Sequence, residues 1–177
     1  MKKCPVPAKT LLATYSTNGA YTDCYWTEVP GRVALPEFVF AFYTTPLFKL
    51  ERFILKLAVA KPSTDIQARQ LADGSIAEFA AWHVEGRSKN EILMCDLRGR
   101  TRSWLLVIPV STTSAAQTRL YFGSAVVPLR EPKTGKSSIG ATYQALLGFH
   151  KIYSILLLYA AKLSIQHRRR NSHGKQK

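Results

Sequence analysis

The hydrophobic and polar positions change period several times along the chain, and each change predicts an element. Residues 1–20 read as an irregular arm closing at the turn signal Asn18-Gly19. Tyr21–Val29 is rich in aromatic residues and threonine, which suit a pleated strand, and Pro30-Gly31 stops it. Leu35, Phe38, Val39 and Phe42 then recur at helical spacing. Thr45-Pro46 interrupts that helix and starts another, because threonine caps a helix and proline fits its first turn; Leu47, Leu50, Phe53, Ile54, Leu57 and Ala58 carry the stripe to about Ala60. After Pro62, Thr64 and Gln67 have capping-box spacing for a short third helix ending at Gly74. Period two returns in Glu78–Glu85, Glu91–Leu97, Thr101–Val110 and Thr118–Leu129, four strands joined by short polar connections as in an antiparallel meander. A basic loop, Arg130–Ser138, leads to a long helix from Ile139 to about Gln166.

Strand, helices, meander, long helix is the order of an α+β domain. One antiparallel sheet must cover its apolar face, and the last helix is the large apolar element left to do so. The expected architecture is a two-layer domain with a curved sheet of about five strands packed on the long C-terminal helix. A chain of 177 residues that is 46% hydrophobic and 20% charged can bury a core as one domain, and this composition excludes disordered, collagen-like and coiled-coil classes. The expected division is an arm at 1–20, one domain at 21–166 and a basic, disordered tail at 167–177.

The formal charge is +14, from 25 Lys+Arg against 11 Asp+Glu. Much of it lies at the ends: Lys2, Lys3 and Lys9 in the arm, and Lys162, Arg168, Arg169, Arg170, Lys175 and Lys177 at the other terminus. Such a tail is either solvated or a weak electrostatic contact for anionic lipid or nucleic acid, and residues 167–177 hold no Phe, Tyr or Trp for base stacking. Cys4, Cys24 and Cys95 are odd in number and far apart in sequence, offering neither a disulfide framework nor a CxxC pair, which fits a reducing, cytoplasmic setting. No secretion signal is expected at the start, and Gln144–Leu163 contains too many polar groups, among them His150, Lys151 and Lys162, for a transmembrane span.

Four segments carry a resemblance: Tyr21-Thr22-Asp23-Cys24-Tyr25, Phe42-Tyr43-Thr44-Thr45-Pro46, Arg100-Thr101-Arg102-Ser103-Trp104 and Leu120-Tyr121-Phe122-Gly123-Ser124. With the order of elements, they are similar to an uncharacterised bacterial family near the START-like, or SRPBCC, helix-grip superfamily. Members of that family also occur fused behind nucleotide-binding dehydrogenase-like domains, whereas no GxGxxG follows a strand in this chain. The resemblance spans roughly Tyr21 to Leu163 and implies a helix-grip fold with a cavity between sheet and terminal helix. The superfamily commonly has six or seven strands, against the five expected here.

Strand parity selects candidate cavity residues. Asp23 shares a strand face with Tyr21, Tyr25 and Thr27, and is either a polar anchor or base inside a cavity or a rim carboxylate paired with an arginine. His83 stands mid-strand beside Trp82, as a packing histidine or a base. Arg102 alternates with Trp104, Leu106 and Ile108; if that face points inward, its guanidinium meets a ligand carboxylate or Asp23, and otherwise it ends an exposed strand. Tyr121 and Gly123, large beside small, leave room for a concave site unless Gly123 only marks a bulge. On the last helix Leu146, Phe149, Tyr153, Leu156, Leu157 and Ala160 form a stripe expected to face the sheet, and His150 and Tyr153 could turn polar atoms to the cavity.

No catalytic signature is complete. Thr134-Gly135-Lys136-Ser137 has the end of a phosphate loop, but Arg130 stands where that motif needs glycine. No GxSxG elbow or metal-ligand spacing occurs, so neither metal nor cofactor is expected. The expected function is therefore binding of a small apolar or aromatic metabolite in a partly apolar cavity. The alternatives are a cyclase- or dehydratase-type enzyme with Asp23 or His83 as base, and a peripheral binder of anionic membrane or nucleic acid through the tail.

Overall fold

The alternating and helical patterns become, in a computed structural model, one sheet carrying a layer on each side. The structure describes residues 1–59, 62–111, 116–130, 137–138 and 141–174, and side chains except at 54–59, 111, 129–130, 137–138, 141–150 and 172–174. The arm contains strand β1 (Lys2–Lys3) and helix α1 (Ala13–Thr17), and the first long strand is β2 (Tyr21–Pro30). Helices α2 (Leu35–Tyr43), α3 (Pro46–Val59) and α4 (Asp65–Asp73) follow. The meander is β3 (Glu78–Phe79), β4 (Trp82–Arg87), β5 (Glu91–Asp96), β6 (Thr101–Ser111) and β7 (Ala116–Val126). A small pair, β8 (Leu129–Arg130) and β9 (Ser137–Ser138), precedes α5 (Ala141–Gly174).

The seven-stranded sheet runs β1-β2-β7-β6-β5-β4-β3, and every pairing is antiparallel. The five strands expected from period two became seven for two local reasons. The stretch Glu78–Glu85 divides at Ala80, whose φ of 53° turns the chain sharply between β3 and β4. Lys2 and Lys3 add an edge by pairing with Trp26 and Tyr25. Trp26, Trp82 and Trp104 lie on strands of this one sheet, as period two requires.

Local chemistry sets the helix ends. The Thr45 hydroxyl accepts from the Phe48 N–H at 3.1 Å as Pro46 opens α3, and Thr64 and Gln67 form the capping box of α4. Gly74 ends α4 with φ +89°, a left-handed position that glycine takes without strain.

On the inner face of the sheet, Tyr25, Ile92, Met94, Leu105, Val107, Leu120 and Phe122 pack with α2, α4 and α5. Phe42 is the hub, with ring centroids 4.9 Å from Phe122 and 5.3 Å from Tyr43. The helix α5 contributes Leu157, Leu158, Ala161 and Ile165 to this core. Leu156, expected in the same stripe, is instead 48% exposed, because the stripe that fits the sheet runs through Ser154, Leu157, Leu158, Ala161 and Ile165. Leu146, Phe149 and His150 have side chains outside the described residues.

The outer face is covered too, which a two-layer reading omits. The arm lies across it, with Leu12 fully buried against Cys24, Leu93, Trp104, Leu106, Tyr121 and Ala125. Charge-assisted bonds hold it in place: the Glu91 carboxylate accepts from the Leu11 N–H at 2.9 Å and from the Trp104 indole at 2.7 Å. Cys4, remote from Cys24 in sequence, comes opposite it with sulfurs 3.3 Å apart, a proximity that spacing alone does not reveal; all three cysteines are free thiols.

The C-terminal boundary also moves. The helix continues to Gly174, past its expected end near Gln166, because the arginines expected in a solvated tail find partners. Arg168 stacks on Phe40 at 4.4 Å, and Arg169 bonds Glu37 and the Pro30 carbonyl at 3.0 and 2.7 Å.

Candidate functional site

Small side chains on the sheet and large ones on the helices leave a cleft of about 430 Å³ on the inner face. Ser103 of β6 and Ser124 of β7 are short, whereas Phe42, Leu47, Phe48 and Leu50 reach over from α2 and α3 and Tyr153 and Leu157 from α5. Trp82 of β4 and Phe122 of β7 complete most of an apolar lining. Short sheet residues beneath bulky helical ones leave a concavity for the same reason that a large-to-small core change leaves a void.

Among the described residues, one carboxyl group enters this lining. Glu51, in the second turn of α3, accepts a hydrogen bond from the Tyr153 hydroxyl, and the Trp82 indole shares the cleft lining with it. Desolvation is the largest influence on it and raises its pKa above the ordinary carboxylate value, against the Tyr153 hydroxyl that favours the ionised form. Tyr153 is pushed up in turn by desolvation and by the neighbouring Glu51, so its hydroxyl stays protonated and donates. Beneath the cleft, the buried Ser124 hydroxyl donates to Asp23 Oδ1 at 2.6 Å, carrying a polar contact from the lining into the sheet. The arrangement offers an apolar volume with one acid at its wall and no cationic head among its described inner-face donors.

The structure divides the ten candidates named from sequence. Tyr153 lines the cleft, Asp23 adjoins it through Ser124, and Tyr25 is buried in the inner core. Arg102 belongs to the lining beside Thr101 and Ser103, but its guanidinium leaves for the outer side, where Nε reaches the Tyr15 hydroxyl at 2.9 Å and Glu85 at 2.8 Å. Trp104 and Tyr121 lie in the outer layer. His83 is exposed, facing away from the inward Trp82 and Val84. The side chains of Phe149 and His150 fall outside the described residues.

Gly123 requires a correction. With Tyr121 it was expected to face the terminal helix, yet both point the other way, and a Cβ at Gly123 would stand 2.5 Å from Leu12 Cδ2 and 3.0 Å from the Trp104 ring. Alternation along β7 holds, but the side facing the helix is that of Leu120, Phe122 and Ser124, and the outer face is equally apolar once the arm covers it. Glu51 and Trp82 were the residues missed. The available signal was that Glu51 is the sole acid within Pro46–Val59, otherwise apolar or basic.

Comparison of the chain with protein-family models, with characterised proteins and with solved structures finds no match.

Proposed function

We propose that the chain is a small-molecule-binding domain whose inner-face cleft takes a largely apolar ligand. The observation that carries this reading is the cleft of about 430 Å³, walled by Phe42, Leu47, Phe48, Trp82 and Phe122 and holding one carboxyl group, Glu51. That size and lining are those of ordinary small-ligand sites, in which apolar walls give affinity and a few polar atoms fix orientation. Glu51, held by the Tyr153 hydroxyl, suits a ligand bearing a hydroxyl or amine donor at one end and rings or methylenes elsewhere. The architecture supports the reading, since an antiparallel sheet with a long terminal helix packed on one face leaves room for a cavity between them.

A second reading, acid–base chemistry of the cyclase or dehydratase type, rests on the desolvated Glu51 beside Tyr153. Of the bases expected for it, His83 is exposed on the far side of the sheet and Asp23 is engaged with Ser124, so Glu51 is the group this reading favours.

The test is a cleft-filling substitution. Leu47→Trp should abolish uptake of an apolar fluorescent probe while lowering stability by only about 1–3 kcal/mol from overpacking. A parent protein that binds no probe and retains no ligand in native mass spectrometry would reject the binding reading. Turnover by parent protein that Glu51→Gln removes, with probe uptake intact, would establish the enzymatic one.

A further inference from the structure

The outward side of α5 carries a second feature, unrelated to the cleft. Ile152, Leu156, Tyr159 and Leu163 are 61%, 48%, 49% and 46% exposed. Their spacings of four, three and four put them on one stripe, roughly 16 Å long at helical rise. That stripe lies opposite the buried Ser154, Leu157, Leu158, Ala161 and Ile165, so packing on the sheet cannot cover it. Scattered apolar side chains on a surface need no explanation, but four in register on one helix form a contiguous patch. On α3, tied to α5 by the bond between Glu51 and Tyr153, Leu50 and Phe53 are exposed as well, at 56% and 57%.

The charges that α5 itself carries are of one sign. Lys151 is exposed at the beginning of the stripe, and the exposed Arg170 continues its line toward the C-terminus, while the acids nearest the helix, Glu37 and Glu51, are engaged with Arg169 and Tyr153. Glu131 is the last acidic residue of the chain, so α5 holds none. We propose that this face docks the protein on a bilayer surface containing anionic phospholipid. The apolar side chains would enter the acyl boundary while the cations meet the headgroups, the pattern of a helix that lies in an interface. No described helix is long and apolar enough to cross a membrane, so the contact is peripheral.

Charge selects this occupant over the others. A second copy placed stripe to stripe would bring two acid-free helices together, setting like charges against each other with no partner. Nucleic acid would satisfy the cations but offers nothing to Ile152, Leu156 and Leu163.

Vesicle sedimentation with the full chain tests the proposal, using phosphatidylcholine alone and phosphatidylcholine mixed with phosphatidylglycerol. The protein should pellet with the mixed vesicles and far less with the neutral ones, and added salt should weaken the association steeply. Leu156→Ser with Leu163→Ser should weaken it roughly tenfold or more, from the lost burial of two leucine side chains. Both positions are exposed, so circular dichroism and the melting temperature should stay as in the parent. Failure to pellet with mixed vesicles, equal binding to both compositions, or undiminished binding of the serine variant would overturn the proposal. So would a dimer in lipid-free buffer that the same two serines dissolve, which would make the stripe a contact between copies.

Discussion

The two faces of the sheet are built from the same strands yet end differently: the outer one is filled, and the inner one keeps a space. On the outer face a single short strap suffices because the sheet is shaped to receive it. Leu12 enters the place that Gly123 leaves open, and Leu11 lies over Gly86, where a Cβ would meet its methyl groups at 3.2 Å. Glu91 then joins the backbone of the strap to Trp104. On the inner face the covering elements are helices, whose spacing is fixed by the Phe42 cluster and by Leu157, Leu158 and Ala161. They cannot descend onto Ser103 and Ser124, and the cleft is what remains. Small residues thus have opposite consequences on the two sides, depending on whether the covering segment is free to follow them.

Gly123→Leu should break this contrast most severely. The added side chain has Leu12, the Asp23 carbonyl and the Trp104 ring within 3.0 Å of its first atom, so the arm must leave or the sheet must distort. A variant that fails to fold or melts far below the parent is expected, whereas Leu47→Trp on the inner face is tolerated. Leu12→Ala removes the same contact from the other side and should cost roughly 2–5 kcal/mol, as for buried leucines generally. Denaturant melts of the three variants measure this; equal tolerance of Gly123→Leu and Leu47→Trp would show that the arm does not close the outer face.

Removing residues 167–177 should cost about 1–2 kcal/mol, through loss of the partly exposed Arg169 bonds to Glu37 and Pro30 and of the Arg168 stack on Phe40. An unchanged thermal midpoint would show that the helix end is held by nothing.

The smallest effect belongs to Glu51. Its folded-state pKa is raised, by desolvation first, so the folded chain holds that proton more tightly than the unfolded one. Its contribution to stability is therefore full below the ordinary glutamate pKa and is lost as pH rises through the higher folded value. Parent minus Glu51→Gln stability should fall across that window and be flat above it. A difference that rises with pH would mean that the pocket favours the ionised carboxylate.

These contrasts also show what could be seen in the residues alone. Helices α2 and α3 and the capped α4 were legible because Thr45-Pro46 and Thr64…Gln67 are local signals that packing did not override. Strand parity was legible in β7 and in β2, where Asp23, Tyr25 and Thr27 share the inward side. The choice between faces was not, since it depends on Leu12, more than a hundred residues from Gly123 in a segment with only a short apolar run. Glu51 was hidden for the same reason: its meaning comes from Trp82 and Tyr153, which only the tertiary fold brings to it.

The three tryptophans provide the most direct measurement of the central claim, because they divide between the two faces. Trp82 lines the cleft, Trp104 is fully buried in the outer layer, and Trp26 packs at that layer's edge. Titrating an apolar probe into the nitrogen-15-labelled protein and following the assigned indole N–H signals should move the Trp82 resonance and leave those of Trp104 and Trp26 in place. A probe that shifts Trp104 or Trp26 instead, or that shifts none of the three at saturating concentration, would contradict an inner-face binding cleft.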